Sequence, residues 1–130
     1  MVLIYHVDVH ALPGLHQDKI MQLVNTCYKE QIEDLDFSYG VVYQDKGAVL
    51  GVALVNESLE DHHICHLCVR KDNRTVGIAT EILDLIKERV QAMPLKIGIA
   101  SDWTATETKF FERRGFHQMG AYMTYQDVAS

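Results

Sequence analysis

Proline is scarce in this chain. There are two, Pro13 and Pro94, and each falls between predicted elements, so no proline-rich linker divides the sequence. Cysteine is scarce as well, limited to Cys27, Cys65 and Cys68. Three is an odd count, and a chain of 130 residues can bury a core without covalent staples. The simplest expectation is reduced thiols in a cytoplasmic protein. Positive charge is in deficit: 12 Lys and Arg stand against 18 Asp and Glu, a formal net charge of -6. Such a balance gives no general electrostatic reason to bind nucleic acid or an anionic membrane. Any anion site must be a local exception to it. No apolar run approaches the roughly 20 residues that span a bilayer. Met1 to His10 lacks a basic segment followed by a long apolar core, so it reads as a strand and not as a secretory leader. Repeats and low-complexity tracts are missing too.

What is present is a globular pattern. Hydrophobic residues make up 48% of the chain, enough for one core, and a single domain over residues 1–130 is expected. Val2 to Val9 is β-rich, and Ala11 to His16 reads as a loop. After Asp18, a capping residue, Ile20, Leu23, Val24, Cys27 and Tyr28 form one helical stripe. Phe37 to Gln44 and Ala48 to Asn56 read as strands joined by a tight turn at Asp45-Lys46-Gly47. His62 to Val69 is a third strand of this group. A helix follows from Thr75 to about Ala92, with Ile78, Ile82, Leu85 and Ile86 on its apolar side, and Pro94 stops it. Leu95 to Ala100 is a short apolar strand of the buried kind. Thr104 to Arg114 is helical and ends at Gly115. Phe116 to Tyr125 is the last strand, with a break at Gly120. The order β-α-β-β-β-α-β-α-β implies an α/β (α+β) fold: a mixed sheet, antiparallel first and parallel at its centre, flanked by helices.

The most informative segment is Val69-Arg70-Lys71-Asp72-Asn73-Arg74-Thr75-Val76-Gly77-Ile78-Ala79. A strand ends, a polar turn follows, and a helix begins at a glycine. Arg70, Lys71 and Arg74 make the turn a basic island in an acidic chain. The first turn of a helix leaves backbone N–H groups without helical partners and carries partial positive charge. Such a terminus suits phosphate. Gly77 has no Cβ to keep a phosphate from the backbone, and Ala79 keeps the next turn small. The Gly-Lys-Ser/Thr ending of a nucleotide-hydrolysing loop is missing, as is the three-glycine dinucleotide pattern.

This segment resembles the acetyl-CoA signature of the GNAT N-acetyltransferase superfamily. That signature is Arg or Gln, two residues, Gly, one residue, then Gly or Ala, after an apolar strand residue. Here these are Arg74, Gly77 and Ala79, with Val69 in the strand. Downstream, Lys109-Phe110-Phe111-Glu112-Arg113-Arg114-Gly115-Phe116 resembles the family's later helix with its aromatic-rich end, and the element order matches that fold over essentially the whole chain. The resemblance implies an acetyl-CoA-dependent N-acyltransferase acting on the primary amine of a small molecule, peptide or protein by direct attack in a ternary complex. It implies that backbone N–H groups of Arg74, Thr75, Val76, Gly77, Ile78 and Ala79 hold the pyrophosphate. Arg70 and Lys71 would add charge nearby. Leu67, Cys68 and Val69 would present strand backbone to the pantetheine arm, where the strand parts from Leu95–Ala100.

The chain departs from the family in its late helix. A Tyr that commonly acts as general acid is replaced by Phe111, which has no proton to give. A common Asn at the start of that helix is Thr104, and a common small residue further along is Glu107. A free thiol has a pKa near ~8.5 and leaves readily, so solvent, Ser101, Thr104 or a cysteine could serve the acid step. Several family members carry a Glu or His base six residues before the apolar strand residue, and that position is His63. A His near neutral pKa suits a base. Strand alternation would put His63 with Cys65, Leu67 and Val69 on one face, and His62, Ile64, His66 and Cys68 on the other.

Cys65 and Cys68 have C-x-x-C spacing among three histidines. In a strand these two thiols point to opposite faces, so neither a shared metal nor a disulfide between them is expected. The acceptor walls are expected in the first helix, in the acidic stretch Glu30 to Asp36 that would attract a cationic amine, and around Tyr122 and Tyr125. An exposed edge on the last strand would suit a homodimer. The rival expectation is a degenerate domain that binds acyl-CoA, or a partner protein, without catalysis.

Overall fold

The computed structural model describes residues 2–8, 14–27, 36–73, 77–100 and 103–126, with side chains of the first helix from residue 17 onward. Of the loop expected at Ala11 to His16, residues 11–13 fall outside these residues, as does Tyr28, while residues 14–16 are already helical: α1 starts at Gly14, ahead of the expected cap Asp18, which lies inside the helix. In chain order the elements are β1 (Val2–Val7), α1 (Gly14–Cys27), β2 (Tyr39–Asp45), β3 (Ala48–Glu57), β4 (His62–Val69), α2 (Ile78–Val90), β5 (Leu95–Gly98), α3 (Ala105–Glu112), β6 (His117–Met119) and β7 (Tyr122–Tyr125). A single 3₁₀ turn, Lys71–Asn73, follows β4.

The strands form one mixed seven-stranded sheet in the order β1-β2-β3-β4-β5-β7-β6. Every neighbouring pair is antiparallel except the central pair, β4 and β5. The tight turn between β2 and β3 puts Lys46 at φ 52° and Gly47 at φ 81°. Two positive φ values in succession match the right-handed twist of a hairpin. The break at Gly120 (φ 64°) divides the last strand into β6 and β7. β7 therefore lies inside the sheet between β5 and β6, and the part of the expected last strand that forms a sheet edge is β6.

Each face of the sheet is covered by its own helices. α1 inserts Ile20, Leu23 and Val24 against Val42, Val52, Leu54 and Cys68. These helical positions are the expected apolar stripe at i, i+3 and i+4. On the opposite face α2 buries Ile78, Ile82, Leu83, Ile86 and Val90 against Val41, Ala53, Val55, Ile64 and Leu95. Each such side chain contributes roughly 1.5–3 kcal/mol by leaving water. α3 joins this second core through Phe111.

Gly51 on β3 lets α2 approach this closely. A Cβ there would lie 2.7 Å from Cγ2 of Ile78 and 3.0 Å from Cδ1 of Ile82. The first residue of α2 thus rests directly on the strand backbone. Arg114, just past α3, holds the same turn from the other side. Its Nε and Nη2 donate to Thr80 Oγ1 at 2.8 and 2.6 Å, and its Nη1 donates to the Phe110 carbonyl at 2.7 Å.

Candidate active site

The centre of the sheet opens into a V. β4 and β5 pair at His62–Leu95, His63–Lys96 and Ile64–Ile97, and the ladder ends there. Each strand then follows its outer neighbour. β4 stays with β3 as far as Val69–Gly51, and the Arg70 N–H donates to the Leu50 carbonyl at 2.8 Å. β5 stays with β7 at Gly98–Tyr122, and the Ile99 N–H donates to the Ala121 carbonyl at 2.9 Å. Two adjacent parallel strands that part in this way make a slot for an extended ligand with amides of its own.

The expected faces of β4 need correction. β3 pairs Leu54 with His66 but Val55 with Ile64, so Cys65 is an extra residue in β4, a β-bulge. A bulge resets the side-chain alternation. Leu67 and Val69 therefore share the α2 face with Ile64, while His66 and Cys68 face α1. His63 also lies on the α1 face. Its neighbours Lys96 and Thr124 alternate with Ile97 and Met123, which belong to the α2-side core.

His63 sits one residue before the strands part. Its ring meets Tyr122 edge-on, with centroids 5.6 Å apart and planes at 81°. The Lys96 ammonium lies 4.7 Å from the centre of the Tyr122 ring and 3.0 Å from the Asp61 carboxylate. Burial lowers the His63 pKa below 6.5, the Lys96 charge lowers it further, and Asp61 partly opposes both. The imidazole is consequently neutral at neutral pH, the state a base requires.

The other two histidines of the strand have different surroundings. His62 is buried on the α2 face, where its Nδ1 is 2.9 Å from the Tyr39 hydroxyl and its Nε2 is 3.6 Å from Glu57. Arg89 covers the Tyr39 ring at 3.7 Å. His66 packs edge-on against Phe37 at 5.5 Å.

At the open end of β4, Arg70 and Lys71 are exposed and border a cleft on the α1 side. Arg74, Thr75 and Val76 lie outside the described residues. Gly77 is described: it has φ 80°, stands just ahead of α2, and a Cβ placed on it would meet nothing within 4 Å. Positive φ is itself a reason for glycine here. The Cβ position at Gly77 is unoccupied by any described atom. Ile78 is buried under the helix, and Ala79 is half-buried.

Thr104 and Glu107 have a structural task that their departure from the family pattern did not reveal. Thr104 is the N-cap of α3. Its Oγ1 accepts from the Thr106 N–H at 3.2 Å, its N–H donates to Glu107 at 2.8 Å, and its hydroxyl also donates to that carboxylate. This is a capping box. Hydrogen bonds from Thr104 hold the Glu107 carboxyl below its ordinary pKa. Phe111 is core, with 5% of its surface exposed. It stacks on Trp103 at 5.2 Å and meets Phe110 and Phe116 edge-on at 5.0 and 5.3 Å. Tyr122 lies beside His63, whereas Tyr125 faces the other way, against Phe116 and Lys87. The acidic stretch from residue 30 to 35, and Ser101, lie outside the described residues.

The cysteines correct a second expectation. Cys27, at the end of α1, is joined by a disulfide to Cys68 on β4, with Cα atoms 6.0 Å apart. The premise of three reduced thiols therefore fails. The partner of Cys68 comes from 41 residues away, where spacing gives no signal. Cys65, in the bulge, is free and half-buried; burial raises its pKa, and Asn56 Nδ2 donates to its sulfur at 3.3 Å. Among the described residues, no three His, Cys, Asp or Glu side chains converge as metal ligands, and no helix is long and apolar enough to cross a membrane.

Compared with solved structures, the whole chain superposes on the ribosomal-protein-S18-alanine N-acetyltransferase of Escherichia coli, with a TM-score of 0.82 at 11% identity, covering 100% of this chain and 97% of that one. The putative N-acetyl transferase YhhK of E. coli, solved bound to coenzyme A, gives 0.76 at 12% identity, covering 98% and 99%. Ard1 from Thermoplasma volcanium gives 0.77 at 16% identity, covering 98% of each. At these identities the likeness is one of fold. Compared by sequence with curated proteins, the chain has no match. Residues 14–127 match the acetyltransferase (GNAT) domain family. With that match, the parted central strands and the glycine-led helix, the chain belongs to the GNAT acetyltransferase family.

Proposed function

We propose that this protein is an acetyl-CoA-dependent N-acyltransferase that moves an acetyl group to a primary amine by direct attack in a ternary complex. The observation that carries the reading is the parting of β4 and β5 beyond Ile64 and Ile97, with the glycine-led start of α2 at the end of the gap. Backbone of Leu67, Cys68, Val69 and Arg70 would align the pantetheine arm. N–H groups from Arg74 to Ala79 would hold the pyrophosphate, Gly77 giving it access. Thr104, which caps α3, and Phe111, which anchors that helix in the core, would support the far side of the gap.

Acetyl-CoA supplies an activated acyl carbon and a thiolate leaving group. His63 is the base in this reading. Its neutral imidazole takes a proton from the acceptor's ammonium, freeing the nitrogen lone pair to attack the carbonyl carbon as the C–S bond breaks. Tyr122 holds the ring edge-on, and the Lys96–Asp61 pair beside it fixes the local field. No side chain needs to protonate the departing sulfur, because a thiol of pKa near ~8.5 leaves as thiolate and solvent can protonate it. This accommodates Phe111 at the position where the family often has an acid.

The acceptor class to test first is the α-amine of a peptide, because the E. coli relative of like fold is a ribosomal-protein-S18-alanine N-acetyltransferase. Polyamines and aminoglycosides follow. The test is chromatographic detection of CoA released from acetyl-CoA with each amine. Amine-dependent release that His63→Ala abolishes would support the reading. Saturable acetyl-CoA binding without release for any amine would favour an acyl-CoA-binding domain without catalysis.

A further inference from the structure

Cys27 and Cys68 join two elements that the fold already holds by other means. β4 is laddered to β3 along its open limb, where Leu67 pairs with Ala53, Cys68 with Val52 and Val69 with Gly51. α1 is packed on the sheet by Ile20, Leu23 and Val24, the last of these nearly a turn before Cys27. The disulfide therefore places neither element. It fixes one detail, the position of the end of α1 over the open limb of β4. That end has no Lys or Arg in its last turn to complement the helix dipole. Its Thr26 hydroxyl donates within the helix, to the Leu23 carbonyl at 2.6 Å. The two sulfurs also differ in access. Cys68 is buried, with 2% of its surface exposed, whereas Cys27 is partly exposed. A disulfide that can be reached from solvent belongs to the labile class. Cys68 lies between Leu67 and Val69 in the strand segment assigned above to the pantetheine arm. It faces the same side of the sheet as His63, roughly 15 Å along the strand.

We propose that the Cys27–Cys68 bond is a redox switch: oxidised, it pins the end of α1 on the face of β4 that carries His63; reduced, it releases that end and weakens acceptor binding, while the cofactor gap persists. The effect on turnover rests on the transferase reading; the release of α1 does not. Reduction is thiol–disulfide exchange with a dithiol. A thiolate of the dithiol attacks the accessible Cys27 Sγ, the bond to Cys68 breaks, and Cys68 leaves as a thiolate that takes a proton. The second thiol of the reductant then attacks the mixed disulfide and expels Cys27. The protein gains two electrons and two protons, and the dithiol becomes its cyclic disulfide. Glutathione disulfide reverses the change and leaves as two molecules of glutathione. Once the bond is gone, two thiols cannot stay at bonding distance. Cys68 is held in the ladder and packed among Leu23, Val24 and Val52, so the yielding partner is Cys27 and the last turn of α1 with it. β4 keeps its ladder to β3, so the slot beside β5 keeps its shape.

The test compares the full chain in two forms, one oxidised with glutathione disulfide, the other reduced with dithiothreitol and then freed of it under argon. Hydrogen–deuterium exchange reads the switch without any substrate. Amides of residues 24–27 should exchange at least about tenfold faster in the reduced form, and those of Ile82 to Val90 in α2 should not change. CoA release from acetyl-CoA, with an alanine-initiated peptide, spermidine and kanamycin as acceptors, reads the function. The acceptor KM should be about three- to tenfold higher in the reduced form, with acetyl-CoA affinity unchanged. Cys27→Ser should behave as the reduced form under both treatments, and Cys65→Ser should keep the full response. Equal exchange in the two forms would overturn the proposal, as would an equal KM for an amine that is turned over. Faster exchange throughout, α2 included, would overturn it too, since the bond would then be a staple of the whole fold. Faster exchange confined to the end of α1, with no amine turned over in either form, would uphold the release of α1 and count against the transferase reading instead.

Discussion

Gly51→Ala is a single methyl group placed where α2 meets the sheet. Gly51 has ordinary strand backbone, so space alone demands the glycine. The added carbon would stand 2.7 Å from Ile78 Cγ2 and 3.0 Å from Ile82 Cδ1. Carbon atoms pack at about 3.5–4.0 Å, so the first overlap is about 1 Å. Ile82 Cδ1 is the far end of a side chain and can rotate away. Ile78 Cγ2 is attached to Cβ, in the first helical residue, and moves only if the rotamer or the helix moves. Overpacking of this kind costs about 1–3 kcal/mol. Loss of glycine from the unfolded chain returns about 0.4–1 kcal/mol. The net destabilisation is about 1–2 kcal/mol. For a domain of this size that lowers the melting temperature by roughly 4–8 °C.

The displacement also reaches function, because Ile78 follows Gly77 at the proposed phosphate cradle. Acetyl-CoA affinity should fall with stability. The assay is a double-mutant cycle with Ile78→Ala, read by thermal unfolding and by acetyl-CoA titration. Ile78→Ala alone should destabilise by about 2–5 kcal/mol through its cavity. The double variant should be less destabilised than the sum, by about 1 kcal/mol, because the new methyl fills the vacated space. A Gly51→Ala melt within about 1 °C of the unsubstituted protein, or strict additivity, would refute the close approach.

His63→Ala should reduce turnover by about 10²–10⁴-fold with acetyl-CoA affinity retained, and should remove the acidic limb of the rate–pH profile. An unchanged profile would exclude His63 as base. Stability should fall as the pH drops below 6.5, because burial lowers the pKa of His6, His62, His63 and His66 in the folded state. The unfolded chain then binds more protons than the native one, so stability rises with pH across that window; urea titrations at a series of pH values would register it. Reductant should lower stability by up to about 4 kcal/mol, the loop-closure value for a link of 41 residues, and raise the count of reactive thiols in denaturant from one to three. An unaltered melt and thiol count would deny the disulfide.

The fold was legible in the sequence because its signals are local. The tight turn at Lys46-Gly47, the Gly120 break, Pro94 and the stripe of α1 each declare themselves within a few residues. The glycine start of α2 at Gly77 was legible for the same reason. What escaped was everything that depends on a partner far along the chain. The Cys65 bulge exists only relative to Val55 and Leu54, so strict alternation put Leu67 and Val69 with His63 instead of opposite it. Gly51 reads as one more residue of an apolar strand until α2 is set on it. Arg114 lay within the quoted motif, but its hold on Thr80 spans 34 residues. Phe111 was read as a missing acid, whereas its ring is stacked in the core between Trp103 and Phe116.

The central claim is that the gap between β4 and β5, ending at the start of α2, holds acetyl-CoA. Its most direct test is calorimetric titration of acetyl-CoA into the protein and into Gly77→Asp. That substitution puts a side chain and a negative charge at the residue just ahead of the helix, where a Cβ meets no described atom. Saturable one-to-one binding to the unsubstituted protein, lost in a Gly77→Asp variant that still folds, is the result predicted here. No binding at millimolar acetyl-CoA, or equal binding to both proteins, would contradict it.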